Sequence, residues 1–399
     1  MTRQIQAIPH SPFPIPQFEF ATAGRIIFGT GSIREISPIA AGLGSRACLV
    51  TGGTLERADV LIDELDRARI NHITLQVKGE PTTVLVLRLI EEARAADCNL
   101  VIGIGGGSVL DTGKVIAALL TNRGELMDYL EVIGKGIKIE LPPAPYIAIP
   151  TTAGTGAEVT RNGVLLSPEH RVKVSMRSPL MIPRVALVDP LLTVSMPSAI
   201  TASTGLDAFT QLLEPFVSRK ANPLTDAICR EGLRRAARSL RRAYEDRDDI
   251  PARTDMALAG LFGGLALANA GLGAAHGFAG PLGGMFPAPH GAICARLLPL
   301  VMEANIRALR ERSPSSPALS RYREAAVIVT GNWDSTAEDG IDWVKNLCRD
   351  LAIPPLSDFG IRPDNIPTVV AKAKNSSSMK GNPVELSEIE LVGILSRAL

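Results

Sequence analysis

Two histidines, His276 and His290, lie fourteen residues apart in the apolar, glycine-rich stretch GAAHGFAGPLGGMFPAPHG (273–291). An equally apolar run, STGLDAFTQLLEP (203–215), carries Asp207, with Gln211 at i+4 on the same helical face. Among Gly205, Leu206, Ala208 and Phe209, an unpaired carboxylate is costly to bury. One carboxylate and two imidazoles can hold Zn²⁺ or Fe²⁺ and leave a coordination position open. The spacing also permits a plainer arrangement, with each histidine a hydrogen-bonded core residue and Asp207 a helix cap.

A second chemistry is written in GIGGGSVLDTGK (103–114), where a buried apolar strand runs into glycines and then into a helix. Glycines let backbone approach a ligand, and first-turn N–H groups cradle phosphate. Gly105, Gly106, Gly107 and Ser108 form the cradle. Asp111 is too negative to touch a phosphate, so a ribose or substrate hydroxyl, or Lys114, is its partner. A tight strand-to-helix turn with no ligand gives the same pattern. The polar loop AIPTTAGTGAEVTRNG (148–163) offers Thr151, Thr152 and Thr155 after another strand. Ligands of open α/β sheets bind outside the carboxyl ends of the strands, so both loops can face one crevice.

The elements that must position these residues divide the chain. RACLVTGG, NHITLQVKG, NLVIGIGGG and PYIAIPTT read as strands, alternating with helical spacing over 54–70, 83–98 and 109–122. That alternation implies a doubly wound parallel sheet. After VALVDP (185–190) only helical periodicity is evident, over 199–218, 223–246, 253–273 and 291–309. The expectation is an α/β nucleotide-binding domain over 1–192 and an all-α domain over 193–399. RSPSSPAL (312–319) reads as a loop.

Composition narrows the class. The 399 residues carry a formal net charge of +1, which gives no field to gather nucleic acid or an anionic membrane. No run reaches the ~20 apolar residues of a membrane span, and the first twenty residues show no secretory h-region. Five scattered cysteines without a CxxC read as reduced core thiols of a cytoplasmic protein.

The motifs FGTGSIREI, GGGSVLDTGK, PTTAGTGAEVT, ALVDP, TGLDAFTQLLE and HGFAGPLGGMFPAPHG, in this order over about residues 20–310, resemble the iron-containing (group III) alcohol dehydrogenase family. That family shares its fold with glycerol dehydrogenase and dehydroquinate synthase. The resemblance implies NAD(P)-linked alcohol oxidation or aldehyde reduction, a divalent metal (iron or zinc), a small alcohol or aldehyde substrate and a homo-oligomer, dimeric or larger. It places Gly105–Ser108 on the pyrophosphate, Thr151, Thr152 and Thr155 on the cofactor, and Asn162 and Lys173 near its ribose. It makes Asp207, His276 and His290 metal ligands. Gln211 stands where the family has a fourth, histidine ligand, and Gly280 where many relatives have a proton-relay histidine. Relatives that prefer NAD tend to carry an aspartate after the strand matching CLVT. Here Gly52 and Gly53 follow, and Thr54 or Arg57 can bond a 2′-phosphate, which favours NADP. The alternatives are a metal-free relative that reduces a carboxylated ketone, as maleylacetate reductases do, a lyase-like relative of dehydroquinate synthase, and a nucleotide binder without chemistry. A basic pocket from Arg161, Lys173 and Arg177 would suit the first two.

Overall fold

The computed structural model describes residues 17–54 and 58–399. Arg57, and residues 1–16 of the run read for a leader, lie outside them. Eight strands are described: β1 (Arg25–Phe28), β2 (Arg46–Thr51), β3 (Asn71–Gln76), β4 (Leu100–Gly105), β5 (Tyr146–Pro150), β6 (Asn162–Ser167), β7 (Val172–Arg177) and β8 (Val185–Val188). Six form one parallel sheet in the order β1-β8-β5-β4-β2-β3, while β6 and β7 make a separate antiparallel hairpin.

Between the strands lie α1 (Ile36–Ala41), α2 (Asp59–Arg67), α3 (Thr83–Ala95), α4 (Gly107–Thr121) and the single turn α5 (Leu126–Tyr129). Helices cover both faces of the sheet, so its strands are apolar on both sides. Along β2 the alternation is visible: Cys48 and Val50 join one buried cluster with α3 and α4, Ala47 and Leu49 the other with α1 and α2. Helix α3 starts where the Thr82 hydroxyl accepts the Leu85 N–H at 3.1 Å.

Beyond Val188 every described element is helical: α6 (Ser198–Val217), α7 (Pro223–Glu245), α8 (Ile250–Ala270), α9 (Ala274–Met285), α10 (His290–Arg312), α11 (Pro317–Thr330), α12 (Ala337–Asp350), α13 (Ile366–Lys374) and α14 (Glu388–Ala398), with short 3₁₀ turns. Caps mark the starts, as where Asn222 and Thr225 bond reciprocally ahead of Pro223. Phe209, Phe216 and Phe278 sit in this core. No single helix among the described residues is long and apolar enough to cross a membrane.

Three features differ from the expectations or add to them. β1 and the β6–β7 hairpin are strands beyond those read from the sequence, although VKVSMR of β7 alternates apolar and polar residues throughout. The segment 312–319 is not all loop, because Pro317, preformed for a first helical turn, starts α11. The glycine-rich stretch around His276 is helical as α9, held by packing despite its low propensity.

Glycine contacts dock the helical half onto the sheet. Gly156 has φ +60°, and a Cβ there would lie 2.3 Å from Cα of Gly264 on α8. Neither position has room for a side chain. The threonine loop is thereby pressed directly against α8.

Candidate active site

The first site lies at the carboxyl end of the sheet. From β2 the chain steps outward to β3, then returns to the other side of β2 as β4. This reversal opens the crevice in which doubly wound sheets bind ligands. A cavity of about 70 Å³ occupies it, lined by Thr51, Gly52, Thr54, Gly105, Gly106 and Thr151 among others. The two loops are joined there, since the Thr151 N–H donates to the Gly105 carbonyl at 2.9 Å. Gly107 starts α4, and a Cβ on it would meet the Thr155 methyl at 2.9 Å. Glycine at 107 is what lets the loops close together. Ser108 and Thr152 are half-buried at the same edge.

Asp111 turns inward. Its Oδ1 accepts from Lys114 Nζ at 3.0 Å and its Oδ2 from the Val164 N–H at 3.1 Å. Lys114 is fully buried and also donates to Thr160 Oγ1 and the Asn162 carbonyl, at 2.8 and 2.7 Å. Of the partners considered for Asp111, Lys114 is the one it has, and the pair ties α4 to the hairpin. Lys173 pairs with Glu80 at 2.9 Å and lies against Gly283 of α9. Arg177 pairs with Glu131 at 3.5 Å, so two of the three cations considered for a basic pocket are neutralised.

The second site is in the helical half. Helix α6 presents Asp207, Gln211 and Glu214 from one side, α9 brings His276, and α10 begins at His290. His276 Nε2 is 3.3 Å from Asp207 Oδ1, and His290 Nε2 is 3.8 Å from the same oxygen. The imidazole centroids are 5.4 Å apart. His276 donates through Nδ1 to Glu214 Oε2 at 2.7 Å, and Glu214 also accepts the Gly273 and Ala275 N–H groups at 2.8 and 2.7 Å. With its proton on Nδ1, His276 turns a bare lone pair on Nε2 toward Asp207.

Two buried atoms that face each other here, Asp207 Oδ1 and His276 Nε2, have no hydrogen-bond partner. Both are acceptors in this tautomer. Buried polar atoms are rarely left so, and a cation satisfies both at once. Burial alone would raise the Asp207 pKa, but His290, His276 and Gln211 hold it below the ordinary carboxylate value. Burial likewise works against a charged His276, yet the Cys294 sulfur and the Glu214 and Asp207 carboxylates hold its pKa well above the usual imidazole range, so a proton and a metal cation compete for the same Nε2. The surroundings favour positive charge at this point. His290, 37% exposed, is the open side.

Gln211 meets the site as a donor. Its Nε2 bonds Asp207 Oδ2 at 2.9 Å, while Oε1 lies toward α8, where a Cβ on Gly263 would be 3.4 Å away. At Gly280 an added Cβ would meet nothing within 4 Å, so the face of α9 one turn after His276 is open. Phe209 and Phe278 are core; Met285 and Phe286 pack partly buried against that core.

The comparisons with known proteins agree with this pairing of sites. The model described as "Iron-containing alcohol dehydrogenase" matches residues 23–190, and that of the "Fe-containing alcohol dehydrogenase family, C-terminal" matches residues 201–399. The chain belongs to the iron-containing alcohol dehydrogenase family. It is 34% identical to choline dehydrogenase of Bacillus subtilis over 93% of this chain and 92% of that one. It is 34% identical to lactaldehyde reductase of Escherichia coli over 93% and 97% of the two chains. A solved 1,3-propanediol oxidoreductase superposes with a TM-score of 0.89 at 32% identity, covering 96% of this chain and all of the other. As a member of the family, the chain is an oxidoreductase acting on CH–OH groups, with a nicotinamide dinucleotide and a divalent metal as its cofactors.

Two residues of the second site escaped the sequence reading. Glu214 lies seven positions after Asp207, two helical turns on, and the i, i+4, i+7 pattern of Asp207, Gln211 and Glu214 was the available signal. Cys294 lies one turn after His290 and was read as a core thiol.

Proposed function

We propose that this chain interconverts a small alcohol and its aldehyde or ketone by hydride exchange with NADP(H), using a divalent cation held by Asp207, His276 and His290. The observation that carries the reading is the pair of orphaned acceptors, Asp207 Oδ1 and His276 Nε2, buried beside His290. When bound, the cation supplies Lewis-acid stabilisation of developing negative charge on oxygen.

The remaining work falls to the chain itself. Gly107 and Ser108 present first-turn N–H groups to the pyrophosphate, Gly105 and Gly106 bring the backbone close to it, and Thr151, with Thr152 and Thr155 on the same loop, borders the crevice. Asn162 and Lys173 stand on the hairpin, and Lys173 reaches α9 at Gly283. Glu214 keeps the His276 proton on Nδ1, and Gln211 holds Asp207 in place. The apolar walls of α6 and α9 exclude water and strengthen each of these interactions. Gly280 provides no imidazole for proton relay, so the alcohol proton leaves through water or a ribose hydroxyl. Gly52 places no carboxylate against a 2′-phosphate, and the exposed Thr54 stands ready to bond one.

The test is NAD(P)H absorbance with a panel of alcohols, aldehydes and keto acids, before and after chelator treatment, alongside elemental analysis. Chelator-sensitive turnover and about one divalent ion per chain are expected. Full turnover and full metal content in His276→Ala and His290→Ala would overturn the assignment.

A further inference from the structure

We propose that Cys294 is a metal ligand, and that its thiolate, with Asp207, His276 and His290, makes a four-donor site that prefers zinc to iron. The inference rests on the cation site proposed above.

Cys294 lies on α10 one turn after His290, with no exposed surface. Its Sγ is 3.8 Å from His290 Nε2. One ligand atom from each of Asp207, His276, His290 and Cys294 can be chosen so that all four lie within 4.8 Å of one another. Zinc bonds of ~2.0 Å to nitrogen or oxygen and ~2.3 Å to sulfur set the corners of a tetrahedron roughly 3.3–3.6 Å apart. Three of the six edges are 3.3 Å for Asp207 to His276, 3.8 Å for Asp207 to His290 and 3.8 Å for His290 to Cys294, and the remaining ones are within 4.8 Å, so the four donors need to close in by about an ångström or less.

A second observation is independent of the thiol. Asp207 Oδ1 and His276 Nε2 are aimed into the same space, lack partners and belong to residues that are 1% and 5% exposed. The amide nitrogen of Gln211 donates to Asp207, and its Oε1, also buried without a partner, lies toward α8. Cys229, in the same buried core, stands near Asp226, Arg230 and Arg321 and belongs to no such donor group.

The consequence is selectivity. Carboxylate and imidazole accept iron and zinc alike, whereas a thiolate shifts the preference toward softer or borderline ions. On ligation the thiol proton passes to solvent and the sulfur lone pair takes its place. His290 remains the solvent-facing member, and zinc tolerates a fifth donor on that side.

The experiment uses the full chain, stripped with chelator and reloaded with Zn²⁺ or Co²⁺ alone. X-ray absorption at the zinc edge should show one sulfur scatterer at ~2.3 Å beside nitrogen and oxygen at ~2.0 Å. The Co²⁺ form should show a thiolate charge-transfer band in the near ultraviolet, lost in Cys294→Ser and Cys294→Ala. Both variants should hold zinc more than about tenfold more weakly, a larger loss than they show for Fe²⁺. Wild-type protein that takes up zinc with only nitrogen and oxygen neighbours overturns the role of Cys294 and leaves the three-residue site intact. Wild-type protein that takes up neither ion overturns both. These readings on wild type stand even if the variants fail to fold.

Discussion

Glu214 and His276, sixty-two positions apart in the chain, are joined by a 2.7 Å hydrogen bond in which the carboxylate also accepts two backbone N–H groups from the start of α9. One side chain thus fixes both the helix that carries the histidine and the tautomer that the histidine adopts. Glu214→Gln keeps the shape but loses the charge and one acceptor. Metal affinity should fall about 10–100-fold, as for other partners of ligating histidines, with the fold retained. Chelator competition measures this, and unchanged affinity would remove Glu214 from the positioning role.

Gly52 borders the crevice where an adenosine ribose would lie. An aspartate introduced there puts a carboxylate against a 2′-phosphate and beside a 2′-hydroxyl. Gly52→Asp should move the ratio of kcat/KM for NADPH over NADH toward NADH by about tenfold or more, equivalent to ~1.4 kcal/mol. Steady-state kinetics with both cofactors decides the matter. A ratio that does not move would mean the ribose lies elsewhere.

Gly107 is the point of contact between the two loops. Gly107→Ala forces the new methyl within 2.9 Å of Thr155 unless the threonine loop retreats. The expected result is a rise of about tenfold in the dissociation constant of the dinucleotide, read by fluorescence titration, with little change in metal content. Thr155→Ser, which removes the obstructing methyl, should recover part of that loss. No recovery in the double variant would argue for a different cause.

Glu158 follows the threonine loop and is buried, and burial pushes its carboxyl up to about 7 from 4.5. The folded state therefore holds this proton more tightly than the unfolded chain. Stability falls as pH rises from about 4.5 to 7 and stays reduced above that. Glu158→Gln, permanently neutral, should be more stable than wild type at pH 8 by roughly 3 kcal/mol, the cost of ionising a carboxyl held at about 7 rather than 4.5. At pH 4 the two should be nearly equal. Denaturant melts at both pH values test the sign, and an equal difference at both would separate the effect from titration.

Gly280 leaves open space one turn after His276. Gly280→His should fold normally, because the added side chain meets no neighbour at its Cβ and replaces a poor helix former. Filling that space should raise KM for branched alcohols more than for short linear ones. Equal effects across a size series would place the substrate away from α9.

The order of elements, the parallel sheet and the switch to helices after Val188 were legible because they rest on local periodicity, with buried β4 and amphipathic α7 each declaring itself within a few turns. The glycine loop, Asp207, His276 and His290 stood out as residue types out of place in apolar surroundings, and only the family resemblance made the last three candidate ligands. The sequence could not show which atoms meet. Asp111 with Lys114, Asp207 with Gln211 and His290 with Cys294 are neighbours within single helices, but that Asp111 also holds the hairpin and that Glu214 meets His276 depend on contacts between segments distant along the chain. Residue spacing within one helix fixes which side chains share a face. Only the packing of α6 against α9 and α10 determines what that face meets.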